Sequence, residues 1–401
     1  MKTMLAITRE ALEVLQPQAA ARNNEAFAEL ERGVRAALET YSNVHRGGGQ
    51  NSLTSTYLYE QAREIVLDHL GLDGERHTVI FCSPRRAELL QAQLGRASCR
   101  TVSSQDIGLP LGLRALAVRR NALPPGAPIQ PGGGTARLVF PGRVIWARGA
   151  DKFEAGTPAI VNVIAFARGL QLIRQFGKDA FREADAERRT AADILYGDEL
   201  QKLSGPELLA ALRPSLIGRG VSVPTLVGAR PFINLDNAAS TPTFAPIWEA
   251  VRQAWRQGEQ EQGEIVREVK SICAEVLGAP PADYDVIFTS NTTEAINLAA
   301  ESLGNEPQDG VRPVVVNTIL EHNSSELPWR GLPGVELIRF PVDDEGFVNL
   351  NELETLLRAY KEGGQQGKSG KSGSARIKLV ALSGASNVLG VFNDLAEISR
   401  I

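Results

Sequence analysis

From about Ile160 to Phe176 apolar side chains recur at three- and four-residue spacing, the period of a helix that buries one face. Elsewhere short apolar runs stand between polar turns: Val79-Ile80-Phe81, Val286-Ile287-Phe288, Val314-Val315-Val316 and Leu379-Val380-Ala381-Leu382-Ser383. These predict strands, and their alternation with helical stretches predicts an α/β chain. Residues 123–135 are rich in Pro and Gly, include Gly132-Gly133-Gly134, and predict a loop. Residues 178–228 predict polar helix closing in a Gly/Pro/Val linker, and 361–375 an exposed loop. Val391 to Ile401 predicts a helix with no glycine stop.

The same pattern occurs twice. Residues 63–81 and 270–288 each read as an amphipathic helix, a glycine (Gly71, Gly278), a polar turn and a strand, at a constant offset of 207. A gap-free match of helix stop and strand predicts an internal duplication. The copies diverge afterwards: the second continues Thr289-Ser290-Asn291-Thr292-Thr293-Glu294, the first Cys82-Ser83-Pro84-Arg85-Arg86-Ala87. Tyr41 to Gly47 has no counterpart in the second copy, where Trp255 to Gly263 is charged and Gln-rich. Neither copy is complete.

At 401 residues the chain is long enough for two domains. A net charge of −4 with interspersed signs gives no basic stripe, which argues against nucleic acid as a partner. The three cysteines and four histidines show no zinc spacing. No apolar stretch reaches the ~18 residues of a membrane span, and Met1 to Ala6 leads into mixed charge rather than a secretory leader. A cytoplasmic protein without membrane contact is expected. Gly367-Lys368-Ser369 lacks both the glycine register and the preceding strand of a nucleotide loop.

Four polar motifs follow one another in the second half: Asp236-Asn237-Ala238-Ala239-Ser240, Ser290 to Asn297, Glu321-His322-Asn323-Ser324 and Ser386-Asn387-Val388-Leu389-Gly390. A strand–turn–helix at 286–294 would present free backbone N–H groups and the hydroxyls of Thr292 and Thr293 to an anion, although Ser, Thr and Asn also serve simply as caps. His322 and Asn387 follow strands at their C-terminal ends, where α/β sheets bind ligands.

In this order the four motifs resemble the first half of a class V aminotransferase, the family that includes the cysteine desulfurases and uses pyridoxal 5′-phosphate. The resemblance implies PLP-dependent transferase fold type I, a mostly parallel sheet flanked by helices, here with an incomplete large domain. It implies that Thr292 and Thr293 hold the phosphate, that His322 stacks on the cofactor ring, and that Asn387 bonds the ring oxygen or the substrate. Tyr41 to Gly47 resembles a family loop at the substrate entrance. Phe153-Glu154-Ala155-Gly156-Thr157-Pro158 resembles the segment whose glycine and threonine, here Gly156 and Thr157, reach the phosphate of the partner subunit's cofactor. Its plain reading is a helix start.

The family also needs a lysine to hold the cofactor covalently and an aspartate for the ring nitrogen. Both follow the last motif by more than the 11 residues after Gly390. The first copy offers one candidate position, where Pro110 and Gly112 match the family segment, and it holds Asp106. Covalent attachment is therefore not expected in this chain. The resulting expectation is a degenerate class V aminotransferase-like region with helical linker at 1–230, then the N-terminal half of a large domain at 231–401. Function is expected to be that of a PLP-dependent transferase acting on a small amino acid, inactive as this chain alone. The partner would be a second copy, or a protein supplying the lysine-bearing half. The alternative is a non-catalytic partner or scaffold derived from the family. Cys82, Cys99 and Cys273 are expected to be structural.

Overall fold

A computed structural model describes residues 25–95, 98–181, 188–306, 310–363 and 374–401 of the protein. In chain order come α1 (Glu25–Glu39), α2 (Gln50–His69), β1 (His77–Cys82), α3 (Pro84–Leu94), β2 (Cys99–Ser103), β3 (Arg114–Arg119), β4 (Ala136–Phe140), β5 (Arg143–Trp146) and α4 (Ile160–Phe176). There follow α5 (Ala191–Leu195), α6 (Gly205–Leu212), β6 (Ser222–Thr225), β7 (Gly228–Pro231), α7 (Ala245–Trp255) and α8 (Glu259–Val276). The remainder is α9 (Thr292–Asn305), β8 (Arg312–Thr318), α10 (Asn323–Arg330), β9 (Glu336–Phe340), α11 (Leu350–Gly363), β10 (Ala375–Ala381) and α12 (Leu395–Arg400).

These elements form two compact units, one of residues 1–123 with 159–288, the other of 124–158 with 289–401. Each unit takes residues from both sides of the 230/231 division drawn from sequence similarity.

In the first unit β1, β3 and β2 pair antiparallel in that order. α4 spans the residues its periodicity predicts and buries Ile160, Val163, Phe166 and Leu170 in a core with Phe27, Leu30, Tyr59 and Phe81. Trp248 and Trp255 of α7 join that core and meet edge to face at 5.5 Å. The two similar segments both lie here, and their helices stop in the same way. After α2, Gly71 (φ +64°) donates to Asp68 O and Leu72 N to Leu67 O; after α8, Gly278 (φ +61°) donates to Glu275 O and Ala279 N to Ala274 O. Both are the paired C-terminal bonds that a left-handed glycine makes possible.

Beyond the glycines the segments part. Val79-Ile80-Phe81 is buried in β1, paired with β3. Val286-Ile287-Phe288 is not the strand its sequence predicts: it is unpaired, with Ile287 65% and Phe288 52% exposed. A strand needs a neighbour for its backbone groups, and among the described residues nothing plays for 286–288 the part that β3 plays for β1.

The second unit holds a parallel sheet in the order β10–β8–β9. Val314 and Val316 of β8 face Leu353 and Tyr360 of α11, while Val315 faces Ala300 and Leu303 of α9 and Trp329 of α10. Helices cover both faces, so the run Val314-Val315-Val316 needs no polar alternation. The unit also carries the hairpin β4–β5.

Two further expectations change. The linker before Pro231 folds as the exposed hairpin β6–β7, and the closing helix begins only at Leu395, after Asp394 caps it through Glu397 N. Between 178 and 228 the described helix is broken into short pieces. Most of the loop at 361–375, including Gly367-Lys368-Ser369, lies outside the described residues. No described helix is long and apolar enough to cross a membrane.

An acid-sensitive strap ties the Tyr41–Gly47 loop to α2. His45 Nε2 lies 3.2 Å from Glu60 and Arg63 Nε 2.9 Å from it, while the Arg63 guanidinium stacks over Tyr59 and Phe81. Burial pushes the Glu60 carboxyl upward, but hydrogen bonds and charge from His45 and Arg63 outweigh it and bring the pKa down to about 2. A carboxyl depressed in the folded state stabilises it fully above the ordinary value of 4.5, and that contribution fades as pH falls toward 2. Urea unfolding should therefore find Glu60→Gln less stable than wild type at pH 6, with the gap narrowing between pH 4.5 and pH 2.5. A gap constant across that range would refute the assignment.

Candidate cofactor site

Two helix N-termini set the site, and both belong to the second unit. Asn291 caps α9: its Oδ1 accepts from Glu294 N at 3.0 Å. The buried Glu294 carboxylate turns back to accept from Ser290 N at 2.9 Å, which ties the residue before the cap to the first turn of α9. His322 caps α10, its Nδ1 accepting from Ser324 N at 3.2 Å. The two ends meet where Thr293 Oγ1 and Ser324 Oγ hydrogen-bond at 2.6 Å.

Over this junction lies backbone from the first half of the chain. Asn291 Nδ2 donates to Ala155 O at 3.1 Å and to Thr157 O at 3.0 Å. Gly156 between them has φ +85°, and a Cβ there would stand 2.4 Å from Asn291 Oδ1. Gly156 N donates to Gly133 O at 2.8 Å, and Gly133 N to Ser324 Oγ at 3.3 Å. A Cβ on Gly133 would lie 2.9 Å from His322 Cε1, and one on Gly132 2.2 Å from Thr293 Cγ2. Only glycine lets two peptide strips approach so closely.

At the sheet's carboxyl edge a buried carboxylate does the positioning. Glu321 accepts from Thr318 Oγ1 at 2.9 Å and from Ser383 N at 3.0 Å, which ties the ends of β8 and β10 together beside His322. Asn387 sits exposed in the turn that Ser386 organises by accepting from Val388 N and Leu389 N.

Of the six residues picked from the sequence, Thr293, His322, Gly156 and Thr157 thus converge through Asn291, Ser324 and Gly133. Thr292 is exposed at the first position of α9. No described hydrogen bond joins Asn387 to the other five. Sequence reading passed over Asn291 and Ser324 as contacts although both stand inside quoted motifs. It treated Gly132-Gly133-Gly134 as loop composition alone. An Asn directly before Thr-Thr-Glu is a cap signal that could have marked Asn291.

Other candidates serve local structure. The Asp106 carboxylate accepts from Ser103 N at 2.7 Å while Ser103 Oγ accepts from Asp106 N, closing a turn in the first unit. Lys152 is buried, with Nζ bonded to Gly126 O at 3.1 Å and to Pro124 O, and burial pushes its pKa down. Burial pushes the Cys99 thiol up, away from a reactive thiolate. Among the described residues no cluster of His, Cys, Asp or Glu could hold a metal.

The sequence model of the family Aminotransferase class-V matches residues 96–215 and 233–401, well over half of the chain. The chain belongs to the class V aminotransferase family. Its members depend on pyridoxal phosphate, and the fold is the α/β architecture of PLP fold type I. Among curated relatives, a cysteine desulfurase of Enterobacter sp. (strain 638) is 30% identical over 186 residues, covering 43% of this chain and 41% of the relative. A probable cysteine desulfurase of Mycolicibacterium paratuberculosis is 31% identical over 189 residues, covering 44% of this chain and 25% of the relative. The chain therefore spans less than half the length of the curated relatives it matches. The apo structure of a cysteine desulfurase from Thermococcus onnurineus NA1 aligns over 64% of this chain and 92% of that one. With 14% identity and a TM-score of 0.29, that likeness carries no weight for the site.

The residues fit the phosphate and the ring. The N-terminus of α9 offers backbone N–H groups with the Thr292 hydroxyl exposed beside them, and His322 is exposed nearby at the N-terminus of α10.

The contact between Gly156 and Asn291 predicts a sign pattern. Gly156→Ala should lose about 2 kcal/mol or more, from the clash and from the left-handed backbone. Asn291→Gly alone should also lose stability, through the cap and the two carbonyl bonds, but with the clash gone the double variant should lose less than the sum of the two single losses. A double-mutant cycle in urea measures the coupling; strictly additive losses would show that the two residues do not touch.

Proposed function

We propose that this chain holds pyridoxal phosphate for a transferase of the cysteine desulfurase type acting on a small amino acid. Residues 1–401 would supply the phosphate and ring contacts without the covalent anchor. The observation that carries the reading is the convergence of Thr293, His322, Gly156 and Thr157 on two helix N-termini, in a chain whose family match spans both halves. Curated relatives named cysteine desulfurases support the substrate class.

Bound there, the cofactor supplies an electron sink for bonds at the substrate's α-carbon. The N-terminal amides of α9 and the Thr292 hydroxyl receive its phosphate, where the helix dipole favours negative charge. His322 would offer its imidazole to the cofactor ring, and Glu321 keeps that histidine at the carboxyl edge of β8. Asn387 donates to the ring oxygen or the substrate. Glu294 opposes a dianion by its own charge, but its carboxylate is already turned to Ser290.

The matching helix stops at Gly71 and Gly278 support an internal duplication in which the first copy has lost its chemistry. Asp106 as a turn cap favours a second reading, a non-catalytic family member that assembles with a lysine-bearing protein. A cytoplasmic setting belongs to both readings.

Titration of the full chain with pyridoxal phosphate, followed by protein fluorescence, separates the readings. Saturable binding is expected, weakened about tenfold by Thr292→Val and by His322→Asn, which corresponds to about 1.4 kcal/mol each. Both variants should keep the wild-type circular dichroism. Binding that ignores both substitutions would exclude this site. Borohydride reduction and peptide mapping should find no stoichiometric label on any lysine; a label on Lys152 would sink the claim that the chain lacks an anchor.

A further inference from the structure

We propose that residues 131–157 of the first half and the α9 and α10 N-termini of the second half form one binding site within a single chain, so that the site is built in cis. Under this proposal residues 131–157 are an arm of the first half permanently seated on the second half's site. A single chain, not a pair, is then the unit that binds an anionic ligand there.

Two independent sets of contacts carry the inference. In the second unit the arm is fastened along its whole length. Asn297 Nδ2 donates to Pro131 O at 2.9 Å, and Gln130 Nε2 to Glu301 at 3.2 Å. Gly133 reaches Ser324, Asn291 grips Ala155 and Thr157, and Arg330 donates to the carbonyls of Phe140 and Pro141. Most of these bonds take carbonyls of the arm, so they read its backbone path and not its side chains. The glycines at 132, 133 and 156 leave no room for a side chain between the strips.

In the first unit the exchange runs the other way. Second-half helix α7 lays Arg252 and Arg256 on Glu31 of first-half helix α1, at 3.3 and 2.6 Å, and sinks Trp248 and Trp255 into the first half's core. Asn43, from the loop that the second half lacks, donates to Asp236 of the second half's opening motif at 3.2 Å. The cis assignment rests on the contacts alone, and only the identity of the anion rests on the cofactor reading.

The test uses the full chain carrying Gln130→Cys and Glu301→Cys with Cys99→Ser and Cys273→Ser. An equal mixture of 15N-labelled and unlabelled protein is treated with a short bis-maleimide. The expected product keeps the 43.3 kDa mass of one chain, with crosslinked 130/301 peptides either both heavy or both light. Mixed heavy–light crosslinks at doubled mass would show that the arm is exchanged between chains and overturn the proposal. Failure of the two introduced thiols at 130 and 301 to link to each other, with the buried Cys82 unchanged, would show that the arm is not seated and would overturn it equally.

Wild-type protein gives a second readout. Amide exchange at 132–134 and 155–157 should be equally slow across a hundredfold dilution. Protection lost on dilution would mean an arm held in trans. Neither measurement involves pyridoxal phosphate, so failure to bind that cofactor would leave the arm's assignment standing.

Discussion

One carboxamide holds the candidate site together. Asn291 accepts from Glu294 N with its oxygen and donates to Ala155 O and Thr157 O with its nitrogen. It thereby ends α9 and pins a strip of chain more than 130 residues away in sequence. Each of these bonds is worth on the order of 1 kcal/mol net, but losing the side chain would leave a helix end and two carbonyls unpaired together. Thr293, Ser324 and Gly133 continue the same seam toward His322. The seam's narrowness and the left-handed backbone together select glycine at 156, while a Cβ at 133 would push on the His322 and Ser324 side chains.

That seam also explains why the site is both ordered and open. The hydrogen bonds satisfy the helix ends from one side, through Asn291, Glu294 and Ser324. Thr292 and the His322 ring are left exposed on the other. Glu321, by tying Thr318 to Ser383, makes the position of His322 a property of the sheet rather than of a free loop.

Much of the secondary structure was legible. α4 follows from its periodicity, β8 from three consecutive valines, and the two helix stops from Gly71 and Gly278. The strand at 286–288 was read from the same signal as β1 and does not form. Apolar, β-branched residues state that a segment can pair, but the partner is a matter of the rest of the fold. Likewise the helix ends at Asn291 and His322 follow from local capping chemistry, but the Thr293 hydroxyl, expected at the phosphate, is buried against Ser324. Asn387 remains on its own turn, since nothing local brings it to the others.

The sequence by itself determined the family and the cofactor class, because those depend on side-chain chemistry at fixed short spacings. Only the tertiary structure decided that Gly156 and Thr157 lie on Asn291, that Gly132 and Gly133 press on Thr293 and His322, and that Asn43 meets Asp236. Those pairs join positions far apart along the chain, the first two through backbone carbonyls and absent side chains and the last through two side chains, and such distant meetings leave no periodic mark in a sequence. Their meeting is set by how the helices and sheets pack, and packing is a property of the whole chain.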